Sequence, residues 1–254
     1  MEKALSGKTA LVTGASRGIG AAAAVKLAEA GVTRLLLHYG SYQEGMDNTL
    51  AAVRDLGARA DAVQADLRTA AGIDVMVEAV KARGEAFDIL INNAGSLVKR
   101  ARLEEFTPGL FDEVMNLNVK SVWFLTQAVV PAMTARGSGV IVNLSSIAAR
   151  NGGGIGAGIY AAAKASVSAI TKNLAKELAP RGIRVNAVSP GTVDNYFHEQ
   201  FSTRQMLDAV VAQTPAGRLA TNEETADVIL YLCSPGSGYV HGQTIEVNGG
   251  MWMV

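Results

Sequence analysis

The chain has 254 residues, 23 Lys plus Arg against 23 Asp plus Glu, and 49% hydrophobic residues. A net charge of zero gives no electrostatic footing for nucleic acid or a membrane surface, and no run approaches the ~18 apolar residues of a membrane span. The single cysteine, Cys233, excludes an internal disulfide, and Met1–Lys8 lacks the apolar stretch of a signal peptide. The expectation is one soluble, cytoplasmic domain over residues 1–254 with a sizeable core.

Short apolar runs alternate with longer amphipathic segments, the pattern of a parallel sheet covered by helices. The first predicted strand, Thr9–Thr13, runs into Gly14-Ala15-Ser16-Arg17-Gly18-Ile19-Gly20 and then the helix-forming stretch Ala21 to Ala30. A strand, a glycine-rich turn and a helix form a cradle for pyrophosphate, because bare backbone lets the anion approach amides at a helix N-terminus. The spacing is G-x-x-x-G-x-G rather than the common G-x-G-x-x-G. The next strands are expected at Arg34–Tyr39, Ala60–Gln64 and Phe87–Asn92, followed by a long helix from about Leu110 to Arg136. Gly139–Leu144, Arg184–Val188 and Thr244–Val247 complete the predicted sheet of about seven strands. No internal repeat or low-complexity linker interrupts the pattern. Gly14, Asn92, Ser146 and Pro190 each fall at or just after a predicted strand end, where open α/β sheets collect ligands.

Tyr160 and Lys164 stand four residues apart in the alanine-rich helix Ile159-Tyr160-Ala161-Ala162-Ala163-Lys164, so both side chains share one face. A phenol titrates near ~10, and an ammonium within about 4–6 Å favours its phenolate. The pair therefore predicts a proton donor and acceptor.

With the glycine turn and this pair together, the chain resembles the short-chain dehydrogenase/reductase family over essentially its whole length. Asn92-Asn93-Ala94-Gly95 is similar to the family's N-N-A-G segment, Tyr160 and Lys164 to its Y-x-x-x-K, and Ser189-Pro190-Gly191 to its turn beside the nicotinamide. The resemblance implies a Rossmann-type doubly wound fold and catalytic roles for Asn118, Ser146, Tyr160 and Lys164. Tyr160 would protonate the developing alkoxide while Lys164 lowers its pKa and holds ribose. Ser146 would polarise the carbonyl, and Asn118 would hold a relay water. Ser146 and Tyr160 enclose one residue more than the family's usual spacing, within a loop rich in glycine. The resemblance further implies that a dinucleotide contacts Gly14, Ser16, Arg17, Gly18, Ile19, Gly20, Ser41, Asp66, Leu67, Asn92, Ala94, Gly95, Tyr160, Lys164, Pro190, Gly191 and Val193. Leu37-His38-Tyr39-Gly40-Ser41-Tyr42 holds no acid before Glu44, so nothing there repels a 2′-phosphate. With Arg17 in the turn, NADP(H) is expected ahead of NAD(H).

His38, His198 and His241 show no ligand-like spacing, and no metal site is expected. The stretch from about Val193 to Leu219 corresponds to the family's mobile lid, with Tyr196, Phe197 and His198 at its start and Asn195 where a threonine is common. Within the family, Glu246-Val247-Asn248-Gly249-Gly250-Met251 is most similar to 3-oxoacyl-(acyl-carrier-protein) reductases of fatty acid biosynthesis. The implied substrate is a 3-oxoacyl thioester, and the implied partner an acidic carrier protein docked on a basic pair. Arg181 matches one member of that pair, and Gly137, beside Arg136, stands at the other. The alternatives are a dehydrogenase of a free sugar, secondary alcohol or ketone, and a dinucleotide sensor without turnover. The apolar ending Met251-Trp252-Met253-Val254 fits burial in a homotetramer.

Overall fold

The computed structural model describes residues 3–84 and 86–253; Met1, Glu2 and Val254, read above, lie outside these. One sheet of seven parallel strands contains β1 (Thr9–Val12), β2 (Arg34–Tyr39), β3 (Arg59–Gln64), β4 (Ile89–Asn92), β5 (Gly139–Leu144), β6 (Ile183–Pro190) and β7 (Thr244–Val247). Their order across the sheet is β3-β2-β1-β4-β5-β6-β7. The helices are α1 (Gly18–Glu29), α2 (Gln43–Asp55), α3 (Ala70–Ala82), α4 (Pro108–Met115), α5 (Ser121–Arg136), α6 (Ala148–Asn151), α7 (Gly158–Leu178), α8 (Tyr196–Phe201), α9 (Arg204–Gln213) and α10 (Asn222–Cys233). None of them is long and apolar enough to cross a membrane.

Successive strand residues face opposite sides of a sheet. Thus Ala10, Val12, Leu35 and Leu37 pack with Leu27 of α1, Met46 of α2 and Ile229 of α10. Leu11 and Leu36 point the other way, into Met76 of α3, Leu125 of α5 and Leu178 of α7. Covering both faces explains why these strands read as unbroken apolar runs. Each buried Leu contributes about 1.5–3 kcal/mol relative to exposure. Cys233 lies in the first layer, and burial pushes its thiol up to about 12, which leaves it protonated and inert.

All seven strands fall where the sequence predicts them, with ends shifted by no more than two residues. The largest change is at β6, which continues through Ser189 and Pro190 because these pair with Glu246 and Val247 of β7. The predicted helix from Leu110 to Arg136 is a correction. A π-helical turn over Asn116–Lys120 separates α4 from α5. The extra residue in that turn accommodates Asn118, which is fully buried and whose amide donates to Val114 O (2.8 Å) and Ser96 O (2.9 Å).

The strand order reverses between β1 and β4, so the crevice at their carboxyl ends is the natural ligand site. Beneath it runs a buried polar ladder. Asn92 and Asn143 are register partners on β4 and β5; Asn92 Nδ2 donates to Asn143 Oδ1 (2.9 Å), and Asn143 Nδ2 donates to Thr171 Oγ1 on α7 (2.9 Å). Replacing Asn143→Ala strips a partner from each neighbour in a dry interior. The expected loss of unfolding free energy is about 2–3 kcal/mol. Urea denaturation measures it, and a loss under about 0.5 kcal/mol would show that the ladder is not held as described.

Candidate active site

A cleft of about 840 Å³ runs along the carboxyl ends of the strands. One end is built on the glycine turn. Gly14 has φ +66°, and a Cβ on it would sit 3.0 Å from Ala94 Cα; a Cβ on Gly20 would sit 2.2 Å from Gly14 O. These positions demand glycine on steric grounds alone. The Gly14 amide donates to His38 Nδ1 (3.2 Å), whose Nε2 donates to Ala65 O (2.9 Å), so the buried imidazole ties the turn to β2 and β3. Burial lowers the His38 pKa, which keeps this neutral tautomer. Helix α1 opens with no side-chain cap and no acid in its first turn, leaving its amides and dipole to the cleft. Gly14, Ser16, Arg17, Gly18, Ile19 and Ser41 line this end, with no carboxylate among the cleft's lining residues. That is the donor set a dinucleotide phosphate requires.

The structure brings most of the predicted residues to this one surface. Ala94, Gly95, Ser146, Tyr160, Lys164, Pro190, Gly191 and Val193 also line the cleft. Five do not. Gly20 is packed beneath the turn, Asn92 belongs to the buried ladder, and Asn118 is enclosed behind Gly95. Leu67 is core, 2% exposed. Asp66 is taken by Arg68, whose Nε (2.9 Å) and Nη2 (2.7 Å) donate to its two carboxylate oxygens. Arg68 holds the Asp66 pKa low and itself faces the cleft.

The proton-handling group sits midway. Ser146 faces the cleft, while Ser145 is turned inward onto Ser168 Oγ (2.8 Å) and Lys164 O (3.0 Å). Lys164 is 3% exposed, and its Nζ donates to Leu144 O at 2.7 Å and lies 5.6 Å from the Tyr160 ring centroid. Gly95 makes room for it: a Cβ there would fall 2.7 Å from Lys164 Nζ and 2.8 Å from Asn118 Oδ1. Burial lowers the Lys164 pKa to about 8. Burial also pushes the Tyr160 phenol up to about 12, against a Ser146 hydrogen bond that pulls it down. The expectation that Lys164 favours a phenolate is therefore corrected. Desolvation dominates, and Tyr160 is a protonated donor at neutral pH.

Helix α8 covers the cleft. Tyr196 and Tyr42 sandwich the Arg17 guanidinium, each ring centroid 3.9 Å from Cζ, and Phe197 lies 5.8 Å from the Tyr160 ring. Asn195 caps α8, accepting from the Phe197 amide (3.1 Å) and donating to Asn222 Oδ1 (2.9 Å). Arg68 and Arg100 are lining residues the sequence reading missed. Asp66-x-Arg68 was a visible clue to the first; Lys99-Arg100 reads as an ordinary solvated pair.

A family model described as enoyl-(acyl carrier protein) reductase matches residues 14–252. The 3-oxoacyl-(acyl-carrier-protein) reductase FabG of Escherichia coli is 38% identical over 253 residues, covering 98% of this chain and 98% of the relative. The chain belongs to the short-chain dehydrogenase/reductase family. It is accordingly an NAD(P)-dependent oxidoreductase. The Staphylococcus aureus FabG is 36% identical over 250 residues, covering 97% and 98% of the two chains. Among solved structures of this family, a gluconate 5-dehydrogenase from Burkholderia cenocepacia in complex with NADP and tartrate superposes with a TM-score of 0.88. It is 33% identical, covering 98% of this chain and 97% of its own.

The buried lysine has a measurable consequence. Below pH 8 its charge burdens the folded state fully. As pH rises past the folded pKa of about 8 toward the ordinary 10.5 the penalty fades, and above 10.5 it is gone. The span corresponds to about 3 kcal/mol. The stability of Lys164→Met relative to wild type is thus expected to fall by about 2–3 kcal/mol between pH 7 and pH 11. Urea titrations across that range give the difference directly, and a flat difference would place the ammonium in water-like surroundings.

Proposed function

We propose that the protein is an NADP(H)-dependent carbonyl reductase, with Tyr160 as proton donor. The observation that carries this reading is the meeting of Ser146, Tyr160 and Lys164 in the cleft whose other end is the anion-binding turn. NADPH, when bound, supplies a hydride to the carbonyl carbon. The C=O π pair then moves onto oxygen, and the Tyr160 hydroxyl gives that oxygen its proton. Ser146, beside Tyr160, would turn its one hydroxyl proton to the same oxygen and stabilise its growing charge. Lys164, with a pKa near neutrality, returns a proton to Tyr160. Asn118 fixes Ser96 and closes the space behind Gly95, beside Lys164. Arg17 and Ser41 at the adenosine end, without a carboxylate, favour a 2′-phosphate and hence NADPH over NADH. The bound NADP of the gluconate dehydrogenase supports the same choice.

The substrate assigned first is a 3-oxoacyl thioester, supported by the relatives named for that reaction. A free ketone, sugar or secondary alcohol is the second reading, and one observation favours it. Arg136 and Arg181 sit just before β5 and β6, at the sheet edge opposite this chain's own cleft. Arg136 Nη2 donates to Phe87 O (2.9 Å), and Arg181 Nη2 reaches Glu177 at 3.4 Å, so neither waits bare for a carrier protein.

Tyr160→Phe is expected to lower kcat by about 10²–10⁴-fold with the KM for NADPH little changed. Steady-state oxidation of NADPH and NADH, with an acetoacetyl thioester and free ketones, tests the donor, the cofactor and the substrate together. Undiminished turnover by the phenylalanine variant would remove Tyr160 from its role.

A homotetramer is part of this reading. Trp123 (40%), Phe124 (38%) and Met253 (79%) leave large apolar surface exposed on the isolated chain. Sedimentation equilibrium is expected to give four times the 26.4 kDa chain mass; a monomer would refute it.

A further inference from the structure

The substrate half of the cleft contains a cation that no carboxylate among the described residues neutralises. Arg100, in the loop after β4, lines the cleft and makes no ion pair among the described residues. Its side chain lies across the bare loop before α7, where a Cβ on Gly156 would fall 2.8 Å from Arg100 Cγ and one on Gly154 3.5 Å from Nη1. Two carbonyls hold the guanidinium: Nε donates to Phe201 O (3.0 Å) and Nη1 to Ile155 O (2.6 Å). Of five N–H donors, three are left without a protein acceptor among the described residues. The neighbouring His198 adds no charge, since burial first and Arg100 second push its pKa down to about 4. Asp194 exerts its field on His198 but forms no pair with Arg100. Burial lowers the Arg100 pKa too, with no opposing carboxylate raising it.

A fixed, partly desolvated guanidinium with spare coplanar donors is matched to a carboxylate, which accepts two parallel hydrogen bonds. Its backbone anchors hold the fork in place before any ligand arrives. We propose that Arg100 anchors a carboxylate of the substrate, which favours the second of the two substrate readings above and makes the physiological carbonyl compound a keto acid in place of the thioester assigned first. The assignment rests on the carbonyl-reductase reading and narrows its substrate.

A series of linear keto acids of increasing ketone-to-carboxylate separation, each beside its methyl ester, tests it with NADPH. The best acid is expected to exceed its ester in kcat/KM by on the order of ten- to a hundredfold. Arg100→Met is expected to bring that ratio near one, and Arg100→Lys to keep part of it. A merely structural strut between loop and lid would lower acid and ester alike, so a ratio unchanged in Arg100→Met overturns the proposal. So does a neutral acetoacetyl thioester that outperforms every acid. If no carbonyl compound is turned over, the reductase reading fails and calorimetry decides separately. Binding of an acid to the NADP⁺ complex, absent for its ester and lost in Arg100→Met, upholds the anchor; equal binding of acid and ester overturns it.

Discussion

The ammonium of Lys164 is buried at 3% exposure, and much of the architecture around the cleft answers to it. A charge in such a place needs oxygen atoms close by and space to reach them. Leu144 O at the end of β5 supplies the hydrogen bond, while Gly95 leaves the space that a side chain would fill. Asn118 Oδ1 borders the same space, 2.8 Å from where a Gly95 Cβ would lie, carried there by the π turn between α4 and α5. Four elements from distant parts of the chain thus meet around one cationic group. The group remains titratable near neutrality because its site is dry.

The segment Asn93-Ala94-Gly95 joins this site to the cofactor turn. Gly95 abuts Lys164, and Ala94 abuts Gly14. Between them, Asn93 Nδ2 donates to Thr13 O (2.9 Å) and Gly14 O (3.0 Å), so one short loop after β4 sets the spacing of both ends. Small residues on both partners are what permit the approach. At Gly45 the same logic extends outward, since a Cβ there would lie 2.2 Å from Ser16 O. The turn's glycines therefore serve packing as much as ligand access. Gly20 serves packing alone, lying beneath the turn and off the cleft surface.

Strands buried on both faces, such as β1 and β4, announce themselves as apolar runs, and the partly buried edge strands β3 and β7 were legible as well. So was the clustering of motifs at strand ends, because a parallel sheet gathers its carboxyl ends on one edge. What could not be read depends on packing between distant segments. No local signal marks the π turn at Asn116–Lys120; the need to seat Asn118 beside Gly95 creates it. The direction of the Tyr160 shift depends on how dry the site is, whereas helical spacing reports only its nearness to Lys164. The position of Arg136 and Arg181 was within reach, since each precedes a predicted strand and so belongs to the edge away from the cleft.

Helix α8, only six residues long, touches every functional compartment. Tyr196 stacks on Arg17 at the phosphate end, Phe197 on Tyr160 at the centre, and Phe201 O accepts from Arg100 at the substrate end. Individually these contacts are modest. A cation–π pair contributes about 0.5–2 kcal/mol, an aromatic pair about 0.5–1.5 kcal/mol and a hydrogen bond to a charged donor about 1.5–3 kcal/mol. Together they tie one short helix to all three compartments of the cleft. Two of the three contacts are made by arginines that also face the cleft. An anion drawn to either guanidinium therefore meets a group that also contacts α8, so the ligand-facing cations of the cleft are themselves held by this helix.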